Sequence, residues 1–263
     1  MKRIVLFLFR KRKTLVLPLL ALAVLTGLWL TFREGQEVKA QWRLIDRFGI
    51  RVPLDYRIHG IDVSHHNKKI NWEKVQAMRA EGLDGQDVRL QFVFIKATEG
   101  ATLVDRHFKQ NWREAGKVGL KRGAYHFYHP RRDPEKQARN FIKTVTLESG
   151  DFAPVLDFEL DRGIPHDKLI ADLKTWLDLV EDEYGVKPII YTNSHFYRMY
   201  IAGHLDNYPL WIADYSREHL RDYREKPLYF WQHNKGGAVS GIRGPVDFNV
   251  FLYDSARMQE ICL

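Results

Sequence analysis

Cysteine is nearly absent: the single thiol, Cys262, lies beside the last residue, so no intrachain disulfide can form. A domain of about 200 residues folds without one because its core is large. Internal repeats and low-complexity tracts are missing too. No Gly-x-Ser-x-Gly elbow and no phosphate-binding Gly-rich loop occur, which removes the usual markers of acyl transfer and nucleotide chemistry. Residues 55–263 also lack any charge excess, with 30 Lys and Arg against 30 Asp and Glu. The formal net charge of +8 therefore belongs to residues 1–54, which carry 11 basic and 3 acidic residues. No domain-wide basic face is available to track phosphates, so a nucleic-acid partner is not expected, and only a local basic patch stays open.

Charge is missing again from Thr14 to Phe32, a run of 19 residues dominated by Leu, Val and Ala. As a helix it would span roughly the 30 Å of a bilayer's hydrocarbon core. Lys2, Arg3, Arg10, Lys11, Arg12 and Lys13 precede it and should stay in the cytoplasm, which places the rest of the chain across the membrane. The expected organisation is a basic segment 1–13, a signal-anchor 14–32 and a juxtamembrane spacer 33–54, followed by a folded domain 55–263. The expected location is the cytoplasmic (inner) membrane, single-pass, with the domain on the extracytoplasmic side. Ala21-Leu22-Ala23 has the small-x-small form of a signal-peptidase site, so secretion after cleavage is the alternative.

Beyond Tyr56, strand-like runs recur at 60–65, 92–98, 123–128, 153–160, 188–192, 210–214, 229–233 and 246–251. Helical spacing appears between the earlier ones, as in Trp72, Val75 and Met78, in Phe108, Trp112 and Ala115, and most clearly in Leu169, Leu173, Trp176 and Val180. Strand and helix in alternation, with about eight strands, predict an α/β fold, an irregular TIM-like β/α barrel. The last strands are joined by segments too short for full crossover helices, which predicts some antiparallel pairing.

Four acids end short apolar runs: Asp62, Asp157, Glu159 and Asp247. In a barrel of this kind the C-terminal strand ends form the active face, and all four are expected at or near such ends. Asp157 and Glu159 are two apart, so a strand projects them to one side, about 7 Å apart along the backbone. Paired carboxyls on a buried strand repel each other, yet hydrolysis of a sugar linkage needs that pairing. A lone Asp at a strand end is more often a turn former or helix cap, so Asp62 and Asp247 carry less weight singly.

His126 and His129 could suggest a metal-dependent deacetylase together with Asp62. A spacing of three on a strand sends them to opposite faces, and the adjacent His65 and His66 should diverge likewise, so no metal site and no cofactor are expected. Aromatics gather at the same strand ends: Tyr125, Phe127, Tyr128, Tyr191, Trp211, Tyr215, Phe230 and Trp231. Most should be core, with a subset at the mouth available to stack on sugar rings.

Seven segments occur in order: Gly60-Ile-Asp-Val-Ser-His-His66, Phe92-Val-Phe-Ile-Lys-Ala-Thr-Glu-Gly100, Gly123-Ala-Tyr-His-Phe127, Pro154-Val-Leu-Asp-Phe-Glu159, Ile190-Tyr-Thr192, Leu210-Trp-Ile-Ala213 and Val246-Asp-Phe-Asn-Val-Phe251. Together they closely resemble the motifs of the glycoside hydrolase family 25 muramidases, over essentially residues 58–252. The resemblance implies hydrolysis of the β-1,4 bond between N-acetylmuramic acid and N-acetylglucosamine, with peptidoglycan glycan strands as the partner and a monomer as the default. Asp62, Asp157, Glu159 and Asp247 match the family's acidic site, while Tyr125, Tyr191 and Trp211 fall where the family lines its groove. The stretch 83–91 looks longer than usual, and the common cell-wall-binding repeats are absent. Glu159 is the expected general acid, since burial and neighbouring charge favour its protonated form. Asp157 would attack, activate water, or orient the substrate's 2-acetamido group for internal attack; the family favours the last. A tethered peptidoglycan-binding protein with little turnover is the rival reading.

Overall fold

The computed structural model describes residues 41–82, 85, 87–216, 220, 223 and 225–263. The expected segments 1–13 and 14–32, and residues 33–40 of the spacer, lie outside them. Among the described residues no helix is long and apolar enough to cross a membrane.

Eight strands close a barrel. In chain order they are β3 (Ile58–Val63), β5 (Asp87–Glu99), β7 (Lys121–Phe127), β8 (Val155–Asp157), β9 (Ile189–Asn193), β10 (Leu210–Ala213), β11 (Leu228–Gly237) and β12 (Val246–Phe251). Neighbours from β3 through β5 to β11 pair in parallel, whereas β12 runs antiparallel to both β11 and β3. The expected irregularity is thus confined to one reversed strand. Two short strands decorate the barrel: β4 (Arg79–Glu81) pairs with the start of β5, using part of the long 83–91 region, and β6 (Leu103–Val104) pairs with its end.

Four main helices cover the parallel part: α1 (Trp72–Ala77), α2 (Phe108–Lys117), α3 (Pro134–Thr144) and α4 (His166–Tyr184). Their ends follow capping rules. The Asn71 side chain accepts from the Lys74 amide at 3.0 Å and Asp133 from the Lys136 amide at 2.9 Å, while Gly185 closes α4 at φ 71°. Leu169, Leu173, Trp176, Leu177 and Val180 of α4 are fully buried against the sheet.

Side chains alternate along the strands. Outward residues such as Ile61, Val93, Ile95, Ala124, Leu156 and Ile212 join the helices in one cluster, and inward Ile58, Phe92, Phe94, Val155, Trp211, Phe230 and Phe251 form another. Space for the inner phenylalanines comes from two glycines. A Cβ on Gly60 would lie 2.4 Å from the Phe92 ring, and one on Gly123 would lie 2.3 Å from that of Phe94.

No helix intervenes between β11 and β12, and this seam is covered differently. Two strands that begin the described chain, β1 (Trp42–Ile45) and β2 (Ile50–Pro53), form an antiparallel hairpin. Phe48 at its tip is fully buried, 5.0 Å from the Phe248 ring, and its carbonyl accepts the Ala238 amide at 2.8 Å. Trp42 meets Trp231 edge-on at 5.4 Å. Residues 41–54, read from sequence as spacer, thus pack onto the barrel. Their apolar side chains fill the place that a crossover helix takes elsewhere.

The floor of the barrel is closed by the chain's last residues. Ala153 donates to the Ile261 carbonyl at 2.9 Å and Gly150 to that of Leu263 at 2.9 Å, while Met258 and Ile261 pack into the inner cluster beside Phe152. These contacts lie before β8, at the end opposite Asp157.

Candidate active site

The four acids share the mouth. Asp62 and Asp157 end the inward rows of β3 and β8, as expected. Asp247 does not stand at a C-terminal strand end. It is the second residue of β12, and because β12 is reversed its start lies beside the end of β3, with Asp247 directly opposite Asp62. Strand β8 stops at Asp157, two residues short of Glu159. The Phe158 amide still donates to the Tyr191 carbonyl at 2.9 Å, and its ring is fully buried on the outer side. That anchor keeps the β-like alternation, so Asp157 and Glu159 both face the mouth.

Beneath Asp62 lies a chain of hydrogen bonds with one possible direction. Trp211 Nε1, a donor only, gives to Asn249 Oδ1 at 2.8 Å, which turns the Asn249 amide nitrogen toward Asp62 Oδ2 at 2.8 Å. Tyr191 and Tyr215 hydroxyls donate to Gln232 Oε1 at 2.9 and 2.5 Å, and Gln232 Nε2 donates to the same Asp62 oxygen at 2.7 Å. Asp62 is held as an acceptor.

Trp211 is 2% exposed and stacks on Phe94 at 4.3 Å. Sequence placed it in a groove lining; the structure places it in the floor, where it orients Asn249. Tyr191 is likewise 7% exposed, whereas Tyr125 is half-buried above the acids and Tyr215 is 48% exposed at the rim.

A lysine completes the constellation. Lys96, on the inward row of β5, is buried with Nζ 2.6 Å from Glu99 Oε2 and 4.7 Å over the Phe127 ring. A shift in the β5–β7 register between Lys96 and Thr98 turns Thr98 outward, onto His126 Nδ1 at 2.7 Å. His126 stacks on Trp176 of α4, outside the barrel, while His129 sits at the rim with Nε2 3.3 Å from Glu99. These two do diverge. His65 and His66 do not: they lie in a short 3-10 turn after Ser64, rings 4.0 Å apart, and His65 Nδ1 meets the buried Asp105 at 3.0 Å. Among the described residues no group of three or more His, Cys, Asp or Glu side chains is placed to hold a metal.

Burial raises all four acids, and neighbouring carboxylates add to it at Asp62, Asp157 and Asp247, so four charges together are disfavoured. Burial, then Asp247, lifts Asp62 well above the carboxylate range against the bonds from Asn249 and Gln232. Burial, then Glu159, does the same for Asp157, with Lys96 opposing. Glu159 is raised by burial, against the Tyr191 hydroxyl and Lys96. Asp157 Oδ1 is buried and has no hydrogen-bond partner among the described residues. Buried polar atoms of this kind are normally paired, so its free lone pairs are available to a ligand.

Asp247 is pushed up to about 6, by burial first and Glu159 second. Its folded-state value lies above the ordinary 3.8, so the folded state holds the proton more tightly over that interval. Stability therefore falls as pH rises from about 4 to about 6, and the penalty is complete above that. Asp247→Asn should raise the unfolding midpoint by a few degrees at about pH 8, on the order of 1–2 kcal/mol, and give no gain near pH 4. Calorimetry showing the same difference at both pH values would refute this.

The model for "Glycosyl hydrolases family 25" matches residues 61–242. YegX, an uncharacterised protein of Escherichia coli (strain K12), is 45% identical over 210 residues, covering 80% of this chain and 75% of that protein. An autolytic lysozyme of Clostridium acetobutylicum is 30% identical over 62% of this chain and 49% of its own length. The solved structure of a family 25 glycosyl hydrolase from Bacillus anthracis superposes with a TM-score of 0.70 at 29% identity, over 80% of this chain and 95% of that one. The family match spans more than half of the chain, and the chain belongs to glycosyl hydrolase family 25.

Proposed function

We propose that this domain is a peptidoglycan muramidase cleaving the β-1,4 bond between N-acetylmuramic acid and N-acetylglucosamine, with Glu159 as general acid and retention through the substrate's own acetamido group. A glycoside hydrolase of muramidase type is what the family and its lysozyme relatives support. The observation that carries the finer reading is Asp157: a buried carboxyl beside Glu159 with an unpartnered Oδ1.

Glu159, kept protonated by burial, donates its proton to the glycosidic oxygen as the bond to the anomeric carbon breaks. The acetamido carbonyl oxygen of the same sugar attacks that carbon from the opposite face and closes an oxazolinium ring. Asp157 Oδ1 accepts the acetamido N–H, orients the amide and stabilises the positive charge. Glu159, now a carboxylate, takes a proton from water as that water opens the ring, and configuration is retained. Asp247, ionised above about pH 6, adds negative potential that favours the cationic transition state, and Asp62, fixed by Gln232 and Asn249, lies opposite it.

Mass spectrometry of purified peptidoglycan after digestion tests the bond. Muropeptides ending in reducing N-acetylmuramic acid are expected, with the β-anomer as the first product by NMR. Reducing N-acetylglucosamine ends, or release of acetate with an intact glycan, would overturn the assignment.

We further propose that the uncharged run 14–32 anchors the domain on the extracytoplasmic side of the inner membrane; support comes from the run's length and its basic N-terminal flank. The full chain should remain in alkali-extracted membranes, and external protease should degrade the domain. A soluble product starting after Ala23 would show cleavage instead.

A further inference from the structure

A groove of about 860 Å³ lies on the flank of the barrel, between the segments that adjoin β3 and β12 and helix α2. One wall is formed by residues 68–74, which follow β3, another by 241–243, which precede β12, and the base by Gln110, Glu114, Lys117 and Val118 along α2 and its C-cap. Lys68 stands six residues after Asp62, and Arg243 four residues before Asp247. The walls are thus continuations of the strands that carry two of the site's acids.

Lys68, Lys69, Lys74, Lys117 and Arg243 line this groove, with Glu73 and Glu114 the acids among them. Glu114 is engaged by Arg113 at 2.8 Å and Lys117 at 3.1 Å. The other four cations are exposed and form no ion pair among the described residues. In a domain whose charges otherwise balance, this is a local concentration of positive potential, on segments that lead directly from Asp62 and Asp247.

The walls are fixed to each other. The Asn71 amide donates to the Gly241 carbonyl at 2.9 Å, and a Cβ on Gly241 would lie 2.4 Å from the Asn71 oxygen, so the backbones touch. Asn67 Nδ2 reaches the Pro245 carbonyl at 3.4 Å. Lys68 holds φ at 58°, a conformation suited to glycine, so a lysine there carries backbone strain.

We propose that this groove is a docking subsite for the anionic peptide stems of peptidoglycan, holding their free carboxylates while the glycan lies in the mouth. The inference rests on the muramidase reading above and names the part of the substrate that the mouth does not take. Stems hang from the lactyl groups of N-acetylmuramic acid, so a strand crossing the mouth presents them along its flanks. The acids of the mouth repel their carboxylates, and the cations of the groove attract them. A flat bilayer fits less well, because these cations line a concavity.

The test uses the full chain in detergent, soluble glycan chains with intact stems, and the same chains stripped of stems by an amidase. Lys68→Glu combined with Arg243→Glu should raise KM for stem-bearing chains roughly tenfold, as expected for two exposed charge contacts turned repulsive, with kcat unchanged. Stem-free chains should be cleaved as by wild type. Lys174→Glu, on the outer face of α4, should change neither. Equal loss on both substrates, or no loss on either, overturns the subsite. Lost binding to phosphatidylglycerol vesicles with stem preference intact assigns the groove to the membrane and overturns it as well. If the wild type cleaves neither glycan, the muramidase reading fails, and co-sedimentation decides the groove: stem-selective binding lost in the double variant upholds it, and binding without stem preference refutes it.

Discussion

Glu159→Gln abolishes peptidoglycan hydrolysis, with kcat falling by at least about 10³-fold, while the protein folds and still pellets with glycan. Glutamine keeps the shape and length of the side chain but has no acidic proton to give to the leaving oxygen. The fold has little reason to object, since the variant removes a half-buried carboxyl already strained toward its neutral form. Its thermal stability should equal or exceed that of wild type, which separates lost chemistry from lost structure. The wild-type rate should fall on the alkaline side as Glu159 loses its proton, with the midpoint displaced above the ordinary glutamate value. Turnover within tenfold of wild type would pass the acid role to another member of the cluster.

Asp157→Asn is nearly as severe, with a loss of roughly 10²- to 10³-fold concentrated in kcat. Asparagine can turn its amide nitrogen toward the acetamido N–H, where a buried acceptor is required, and it carries no charge to meet the oxazolinium. The substitution should also raise the unfolding midpoint near neutral pH, because it removes a buried carboxyl pressed against Glu159. Lower activity with higher stability is the signature of a site whose electrostatic strain serves its chemistry. Asp157→Ala with added azide distinguishes the remaining routes. Restored turnover with a glycosyl azide product would make Asp157 the nucleophile, whereas a silent variant leaves the acetamido group in that role.

Much of this arrangement was legible in the sequence. Strand-like runs marked the eight barrel strands, and the acids stood out because each ends a short apolar run. Short connections announced some antiparallel pairing among the last strands but not which strand reverses, so Asp247 was expected at a strand's end and lies at its start. The hairpin 42–53 was read as a spacer for a similar reason. Its apolar residues are interleaved with arginines, and they make sense only against Phe248 and Trp231, about two hundred residues away. Lys96, Gln232 and Asn249 went unassigned although the signal was present, since each is a polar residue on a row that buries large apolar side chains such as Phe94, Phe230 and Phe251. Trp211 shows the converse error. A tryptophan at a strand end looks like a sugar platform, yet here its ring is buried and its N–H sets which way an amide faces.

The floor formed by Met258 to Leu263 gives the barrel a fixed polarity: reactive groups open at one end, and Leu263 lies at the other. Anything joined after Leu263, whether an affinity tag, a fluorescent reporter or a tether to a solid support, therefore emerges on the side facing away from substrate. Truncation is a different matter. Trimming even the last six residues would uncork the inner aromatic cluster, so this end tolerates extension far better than shortening.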